Sequence, residues 1–259
     1  MNWVALDLSI IGPAIIAGLL VVATHVPLGR AVLDRGIIFI DLAIAQIAGL
    51  GVIAANTFGL ETDGWMIQIA ATSAAILGAL LLHWTEKHFA ELQEALIGVV
   101  FVLAATLSIL LLTHNPHGGE QLKDLLVGQI LWVSYEQLIP VAVLYLAVLG
   151  VWFSVDVLKT HRLTFYLLFA LTVTASVQLV GIYLVFATLI IPSLGALAFS
   201  KQRQLTIAYL IGSLGYFLGI AFSALWDLPT GAVVVWTLAV LAGLSACIAR
   251  SVNQKTIGN

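Results

Sequence analysis

Nine apolar runs, each close to 20 residues long, follow one another along this chain of 259 residues. A helix of about 20 residues crosses the roughly 30 Å of hydrocarbon in a bilayer. Because backbone polar groups inside a bilayer must be paired within the protein, such runs form helices. We therefore predict an all-α, polytopic integral membrane protein with eight or nine spans. The runs cover residues 8–27, 37–57, 65–84, 95–113, 137–155, 163–179, 182–200, 205–225 and 230–249.

The composition excludes a water-soluble domain. Hydrophobic residues make up 61% of the chain and charged residues only 9%, with a mean hydropathy of +1.10. A soluble globule carries about 25% charged residues. The net charge of −3 indicates no nucleic-acid partner, and the single cysteine, Cys247, excludes a disulfide framework. We expect residues 1–259 to form one transmembrane domain surrounded by lipid.

Residues 180–196 carry both a glycine and a proline inside an apolar run. Gly181 and Pro192 interrupt residues 180–196, which predicts a helix broken at membrane depth. Irregular backbone survives there only where protein or a water-filled cavity pairs its polar groups, so such segments line transport paths. We place both residues on a translocation path. The sixth and seventh runs are joined only by 180–181, and a short or re-entrant helix here reduces the count from nine to eight.

Basic residues predict the orientation. Loops on the cytoplasmic side of a membrane carry an excess of lysine and arginine. Here these residues follow the odd-numbered spans, and only Lys123 lies on the opposite side. We expect an external amino terminus and a cytoplasmic carboxyl terminus. A tag at the carboxyl terminus should be inaccessible to reagents outside intact cells; labelling from outside would contradict the orientation. The basic residues that follow the odd-numbered spans are Arg30, Arg35, Lys87, Lys159, Arg162, Lys201, Arg203, Arg250 and Lys255.

Five motifs occur in a fixed order on this topology. They are Pro27-Leu28-Gly29, Glu94-Ala95-Leu96-Ile97-Gly98, Leu126-Val127-Gly128-Gln129-Ile130-Leu131, Leu179-Val180-Gly181 followed by Leu189-Ile190-Ile191-Pro192, and Ser223-Ala224-Leu225-Trp226-Asp227-Leu228-Pro229-Thr230-Gly231. Through most of its length the chain resembles the permease subunits of bacterial ABC importers for zinc, manganese and iron.

The resemblance implies a function and a set of partners. The chain would be a permease of the bacterial cytoplasmic (inner) membrane, working as a homodimer or a permease heterodimer. Cytoplasmic ABC ATPase subunits would lie below it and a periplasmic or lipoprotein metal-binding protein above it. The permease itself would not be an enzyme and would hold no covalent cofactor. Its cargo would be a divalent metal ion, zinc first, then manganese or iron.

The second span departs from this family. There the family places an aspartate and a histidine four residues apart, whereas this chain has Asp41 and Gln46. An ungapped alignment puts Gln46 on the histidine and Leu42 on the aspartate. Residues five apart lie about 140° apart around an α-helix. One possibility is that a π-bulge returns Asp41 and Gln46 to the same face of the helix. The other is that another span supplies metal ligands, and His25 is the first candidate. An amide oxygen is also a poor ligand for zinc.

Two loops carry further candidate residues. His114 and His117 precede Glu120 in a His-x-x-His-x-x-Glu pattern, which we interpret as an external metal-sampling loop or a merely solvated one. After the fifth span the family carries a coupling helix for the ATPase, and this chain is shorter there. Its candidate coupling residues are Asp156, Lys159 and Arg162.

Two alternatives remain open. A non-transporting or regulatory membrane subunit would keep the permease fold but lack the ion site and the coupling helix. A secondary transporter is the second alternative, although few charged residues inside the spans are available for a proton relay.

We interpret Glu94, at the start of the fourth span, as a structural polar contact.

Overall fold

A computed structural model describes residues 8–59, 64–154 and 162–257, with side chains between 11 and 250. The described residues form α-helices joined by short connections and contain no strand, which confirms the predicted fold class. Two short 3-10 turns lie at Ala90–Leu92 and Ile130–Trp132. The helices are α1 (Leu8–Arg35), α2 (Ile40–Thr57), α3 (Gly64–His88), α4 (Gln93–Leu112), α5 (Gly118–Val127), α6 (Tyr135–Ser154), α7 (Arg162–Val180), α8 (Ile182–Ala196), α9 (Lys201–Trp226) and α10 (Thr230–Ile257).

Eight of the described helices are long and apolar enough to cross a membrane. Helix α8 is apolar but has only 15 residues, about 22 Å at 1.5 Å per residue and therefore short of the hydrocarbon thickness. Helix α5 has 10 residues and mixes polar with apolar positions. Of the two span counts that the sequence allows, the described helices support eight.

The predicted break is a single residue. Helix α7 ends at Val180, Gly181 has a φ of 80°, and α8 begins at Ile182. Only glycine adopts this backbone region at low cost. Pro192, by contrast, lies inside the continuous helix α8. A proline there removes one hydrogen bond, which spanning helices tolerate when neighbouring groups pair the freed carbonyl. The break therefore lies at Gly181, and Pro192 does not extend it.

The chain divides into two compact units, the first drawn from residues 1–34, 129–142 and 183–259. Small residues allow its helices to approach closely. A side chain at Gly212 of α9 would press on Val22 of α1, and one at Gly215 would overlap Leu238 of α10. In lipid no hydrophobic driving force brings helices together. Spanning helices associate instead through van der Waals contact, which small residues increase by letting the backbones approach closely.

The second unit is drawn from residues 35–128 and 143–182, and α2 lies at its centre. Helix α2 packs against α3, α4 and α7, and α3 packs against α7. Glycine again sets the spacing, because a side chain at Gly51 would meet the Ala70 carbonyl of α3 and one at Gly49 would meet Leu125 of α5. The central position of α2 buries its polar residues as well as its apolar ones. That all 259 residues form one domain stays a prediction.

Candidate ion-path residues

Asp41 is a carboxylate buried in an apolar span. It is the second residue of α2 and its exposed fraction is 1%. Neither carboxylate oxygen has a hydrogen-bond partner of acceptable geometry, although the backbone N–H groups of Asp41 and Leu42 lie near them in the first turn. The positive end of the helix dipole favours a carboxylate here. A charged group at membrane depth nevertheless remains costly without a counter-charge or water, which marks Asp41 as a functional candidate.

Glu94 forms a hydrogen bond with the start of α2. Its Oε1 atom accepts a hydrogen bond of 3.2 Å from the backbone N–H of Phe39, the residue before α2. This bond is a structural polar contact of the kind expected for Glu94 from the sequence. Its second oxygen, Oε2, is buried and has no partner. The contact from α4 thus brings a second carboxylate to the end of α2 that carries Asp41.

Gln46 is also buried, with an exposed fraction of 3%, and its Oε1 atom lacks a partner. Helix α2 is α-helical without interruption from Ile40 to Thr57, so the π-bulge alternative was wrong. Asp41 and Gln46 consequently point about 140° apart. One ion does not bind both side chains of a single regular helix, and each requires partners from other helices.

Thr174 of α7 was missed by sequence reasoning. Its exposed fraction is 2%, and its hydroxyl oxygen has no hydrogen-bond partner. A threonine in a spanning helix usually bonds a carbonyl of the preceding turn, as Thr172 does with Leu168 at 2.8 Å. A single threonine in an apolar run gives no sequence signal, because the outcome depends on the neighbouring helices.

His25 lies in the first unit and is completely buried. Its Nδ1 atom is 2.9 Å from the Val21 carbonyl and 3.1 Å from the Thr24 hydroxyl, whereas Nε2 has no partner. When Nδ1 donates to the carbonyl, Nε2 carries a free lone pair. Histidines that bind metals are commonly oriented in this way. Asp41 and Gln46 belong to the second unit.

Around Gly29, helix α1 meets α8 within the first unit. A side chain at Gly29 would overlap the carbonyl oxygen of Leu189 and would lie 3.1 Å from the Ser193 hydroxyl oxygen. Ser193 follows Pro192, is 5% exposed, and its hydroxyl has no hydrogen-bond partner. Pro192 therefore lies beside a close backbone contact, in a stretch of α8 with an unpaired polar group.

Gly181 is in direct backbone contact with Gly128, which follows α5. Both residues have positive φ values, 80° and 71°. A side chain on Gly128 would overlap the Val180 carbonyl group, and one on Gly181 would overlap the Gly128 backbone nitrogen. The motif containing Gly128 was noted in the sequence, but its contact with the break was not. Two glycine-dependent chain breaks thus meet within the second unit.

The loop before α5 brings together two of its three predicted residues. His117 precedes the first residue of α5, and its Nδ1 atom is 3.4 Å from Glu120 Oε2. Both side chains are largely exposed, and His114 is exposed as well. Throughout the part of the chain that the structure describes, no three His, Cys, Asp or Glu residues form a group able to hold a metal. Metal sampling by this loop stays a prediction.

Of the three predicted coupling residues, the structure describes one. Arg162 is the first residue of α7, and its guanidinium is 3.8 Å from Glu86 Oε1 at the end of α3. The Arg162 side chain is 66% exposed and that of Glu86 only 16%, so the pair is half-buried. Asp156 and Lys159 lie outside the described residues. A role for Arg162 in ATPase contact stays a prediction.

The sequence model of the ABC 3 transport family matches residues 7–158 and 153–249, which together cover most of the chain. The chain belongs to the ABC 3 transport family. It is thus a multi-pass membrane permease of the metal-transport type, as the five motifs indicated.

Relatives of the chain are named for manganese, zinc or iron transport. The chain is 27% identical to the manganese transport system membrane protein MntC of Halalkalibacterium halodurans, over 93% of this chain and 87% of that protein. It is 24% identical to the high-affinity zinc uptake system membrane protein ZnuB of Haemophilus influenzae, over 92% and 97%. A chain of PsaBC from Streptococcus pneumoniae, solved in complex with Fab, has a TM-score of 0.73 at 21% identity and covers 92% of this chain and 91% of its own. The structural likeness supports the fold of this ABC 3 permease.

Proposed function

We propose that this ABC 3 permease forms the translocation path of an ATP-driven importer for a divalent metal ion in the bacterial inner membrane. The observation that carries the proposal is Asp41, a carboxylate with 1% exposure and no adequate hydrogen-bond partner inside an apolar span. A group this costly is retained in a span where it serves an ion. The metal is the transported substrate and not a resident cofactor.

The partners follow from what the chain lacks in sequence. It contains no Gly-x-x-x-x-Gly-Lys-Ser/Thr phosphate loop. We assign ATP hydrolysis to separate cytoplasmic ATPase subunits and ion delivery to an external metal-binding protein, so the permease itself is not an enzyme. Two permease chains, identical or different, would enclose the path. Their amino termini would lie outside and their carboxyl termini in the cytoplasm, according to the distribution of basic residues.

Zinc, manganese and iron are the candidate cargoes. Both oxygen donors and an imidazole lie inside the spans. Asp41 and Gln46 provide oxygens in the second unit, and His25 provides a nitrogen in the first. Imidazole suits zinc and iron, whereas carboxylate and amide oxygens suit manganese. The path would run past these residues and past Gly181 and Pro192, where irregular backbone or a freed carbonyl adds polar groups.

Elemental analysis of cells tests the proposal. A bacterium deficient in metal uptake would express this chain with the ATPase and metal-binding protein encoded beside its gene. We expect the cellular content of one metal to rise, and the rise to disappear when the ATPase gene is omitted.

The same experiment separates the two alternatives. A stably assembled complex without any rise in metal content would favour the non-transporting subunit. A rise that persists without the ATPase would favour a secondary transporter. Either result would overturn the proposed function.

A further inference from the structure

Two carboxylates converge where α2 begins. Glu94 reaches from α4 to within 3.2 Å of the Phe39 backbone nitrogen, and Asp41 lies two residues further along. All three residues belong to the second unit, so the arrangement depends on contacts within one compact body.

This acidic pair has no counter-charge among the described residues. Both oxygens of Asp41 and the Oε2 atom of Glu94 are buried without hydrogen-bond partners, and no lysine or arginine of the described chain forms an ion pair with either residue. The nearest basic residue in sequence is Arg35, whose guanidinium lies 4.1 Å from the ring centroid of Phe165. Two like charges in an apolar span repel each other and are poorly solvated, so a bound cation would stabilise the charged pair.

We propose that Asp41 and Glu94 together form a binding position for a divalent cation at the start of α2. The Phe39 N–H group holds one oxygen of Glu94, which leaves Oε2 oriented by that bond and free to bind. Asp41 contributes up to two further oxygens. The inference rests on the proposed function, because the cation that fills the position is the transported metal.

The donor set also bears on metal choice. Asp41 and Glu94 present only carboxylate oxygens, which suit manganese better than zinc. The sequence placed zinc first, and this site instead favours a harder ion. On the predicted topology the start of α2 lies towards the cytoplasm, because Arg35 precedes it. The position would therefore hold the ion on the exit side of the path.

Glu94 also stabilises the start of α2, and the experiment must separate that role from ion binding. Glu94→Gln retains an oxygen acceptor for the Phe39 N–H group but removes the charge. Asp41→Asn removes the other charge at nearly constant shape. Glu91→Gln is the matched control, because Glu91 lies one turn earlier on the same segment and is exposed.

The measurement is binding of Mn²⁺ to the purified complex of this permease with its ATPase, followed by the electron paramagnetic resonance signal of free Mn²⁺. We expect Glu94→Gln and Asp41→Asn each to weaken one Mn²⁺ site per permease chain by roughly tenfold or more. Glu91→Gln should bind as the wild type does. Thermal unfolding of Glu94→Gln should match the wild type, since the bond to Phe39 is kept.

The outcomes distinguish this inference from the proposed function. Wild-type Mn²⁺ affinity in Glu94→Gln would overturn the two-carboxylate site, even in a complex that imports metal normally. If Asp41→Asn alone weakens binding, Glu94 is only a structural residue and the inference is wrong. Weakened binding in both variants of a complex that imports no metal in cells would support the site and overturn the importer.

Discussion

Asparagine in place of Asp41 is expected to reduce metal import by roughly tenfold or more while leaving the amount of permease in the membrane unchanged. The amide has nearly the same shape as the carboxylate but no charge. The native carboxylate has 1% exposure and lacks an adequate partner, so the substitution breaks no strong bond. Removing a buried charge relieves a desolvation penalty. We therefore expect thermal stability to stay equal or increase as transport falls.

Opposite changes in transport and stability are the signature of a residue retained for function. The measurement pairs the initial rate of metal uptake in cells with thermal unfolding of the purified protein. Asp34→Asn is the matched control, because Asp34 is exposed at the end of α1 and should affect neither quantity. Uptake at the wild-type rate in Asp41→Asn would show that Asp41 is not part of the ion path.

Gln46→Ala should reduce metal uptake less than Asp41→Asn does, since it removes a neutral amide.

The second large effect is expected for Gly181→Ala, which should sharply lower the stability of the folded permease. A left-handed backbone costs about 1–2 kcal/mol for a residue with a side chain, and Gly181 has a φ of 80°. In addition, the new Cβ atom would overlap the backbone of Gly128. Because backbone cannot rotate away as a flexible side chain does, α5 and α7 must separate. We expect a total loss of at least about 3 kcal/mol, which is at the upper end of what single substitutions commonly cost.

Two other glycines separate the causes. Gly36 also has a positive φ, 70°, but nothing lies within 4 Å of a side chain placed there, so Gly36→Ala isolates the backbone cost. Gly150 is exposed within α6 and has an equally open position. Gly150→Ala should be neutral or stabilise the helix by about 0.5–1 kcal/mol. Thermal unfolding should rank Gly181→Ala well below Gly36→Ala. Equal stability of those two variants would show that the contact with Gly128 does not contribute to the stability loss.

The spanning helices were predictable because hydropathy is a local property. The run at 37–57 became α2 (Ile40–Thr57), and the run at 137–155 became α6 (Tyr135–Ser154). In lipid the backbone must pair within its own segment, so an apolar run of sufficient length becomes a helix whatever surrounds it. The break at Gly181 was predictable for a related reason, since glycine weakens a helix wherever it occurs.

The pairing of polar groups was not predictable in this way. The sequence showed Asp41, Gln46 and Glu94 as polar residues in apolar spans, and it left open a π-bulge that the structure does not form. Whether Glu94 meets Phe39, whether Thr174 lacks a partner, and whether Gly128 touches Gly181 depend on which helices pack together. These contacts join segments far apart in the chain, whose approach is set by side-chain volume and glycine spacing across whole interfaces.

The amino-acid sequence by itself therefore determined the membrane location, all but one of the spans and the family, because each depends on local hydropathy or on short motifs. Only the tertiary structure decided which buried polar atoms are left without partners and which glycines bear backbone contacts. The free energy of a buried carboxylate depends on every group within a few ångströms of it. That neighbourhood exists only once α2 and α4 have packed together.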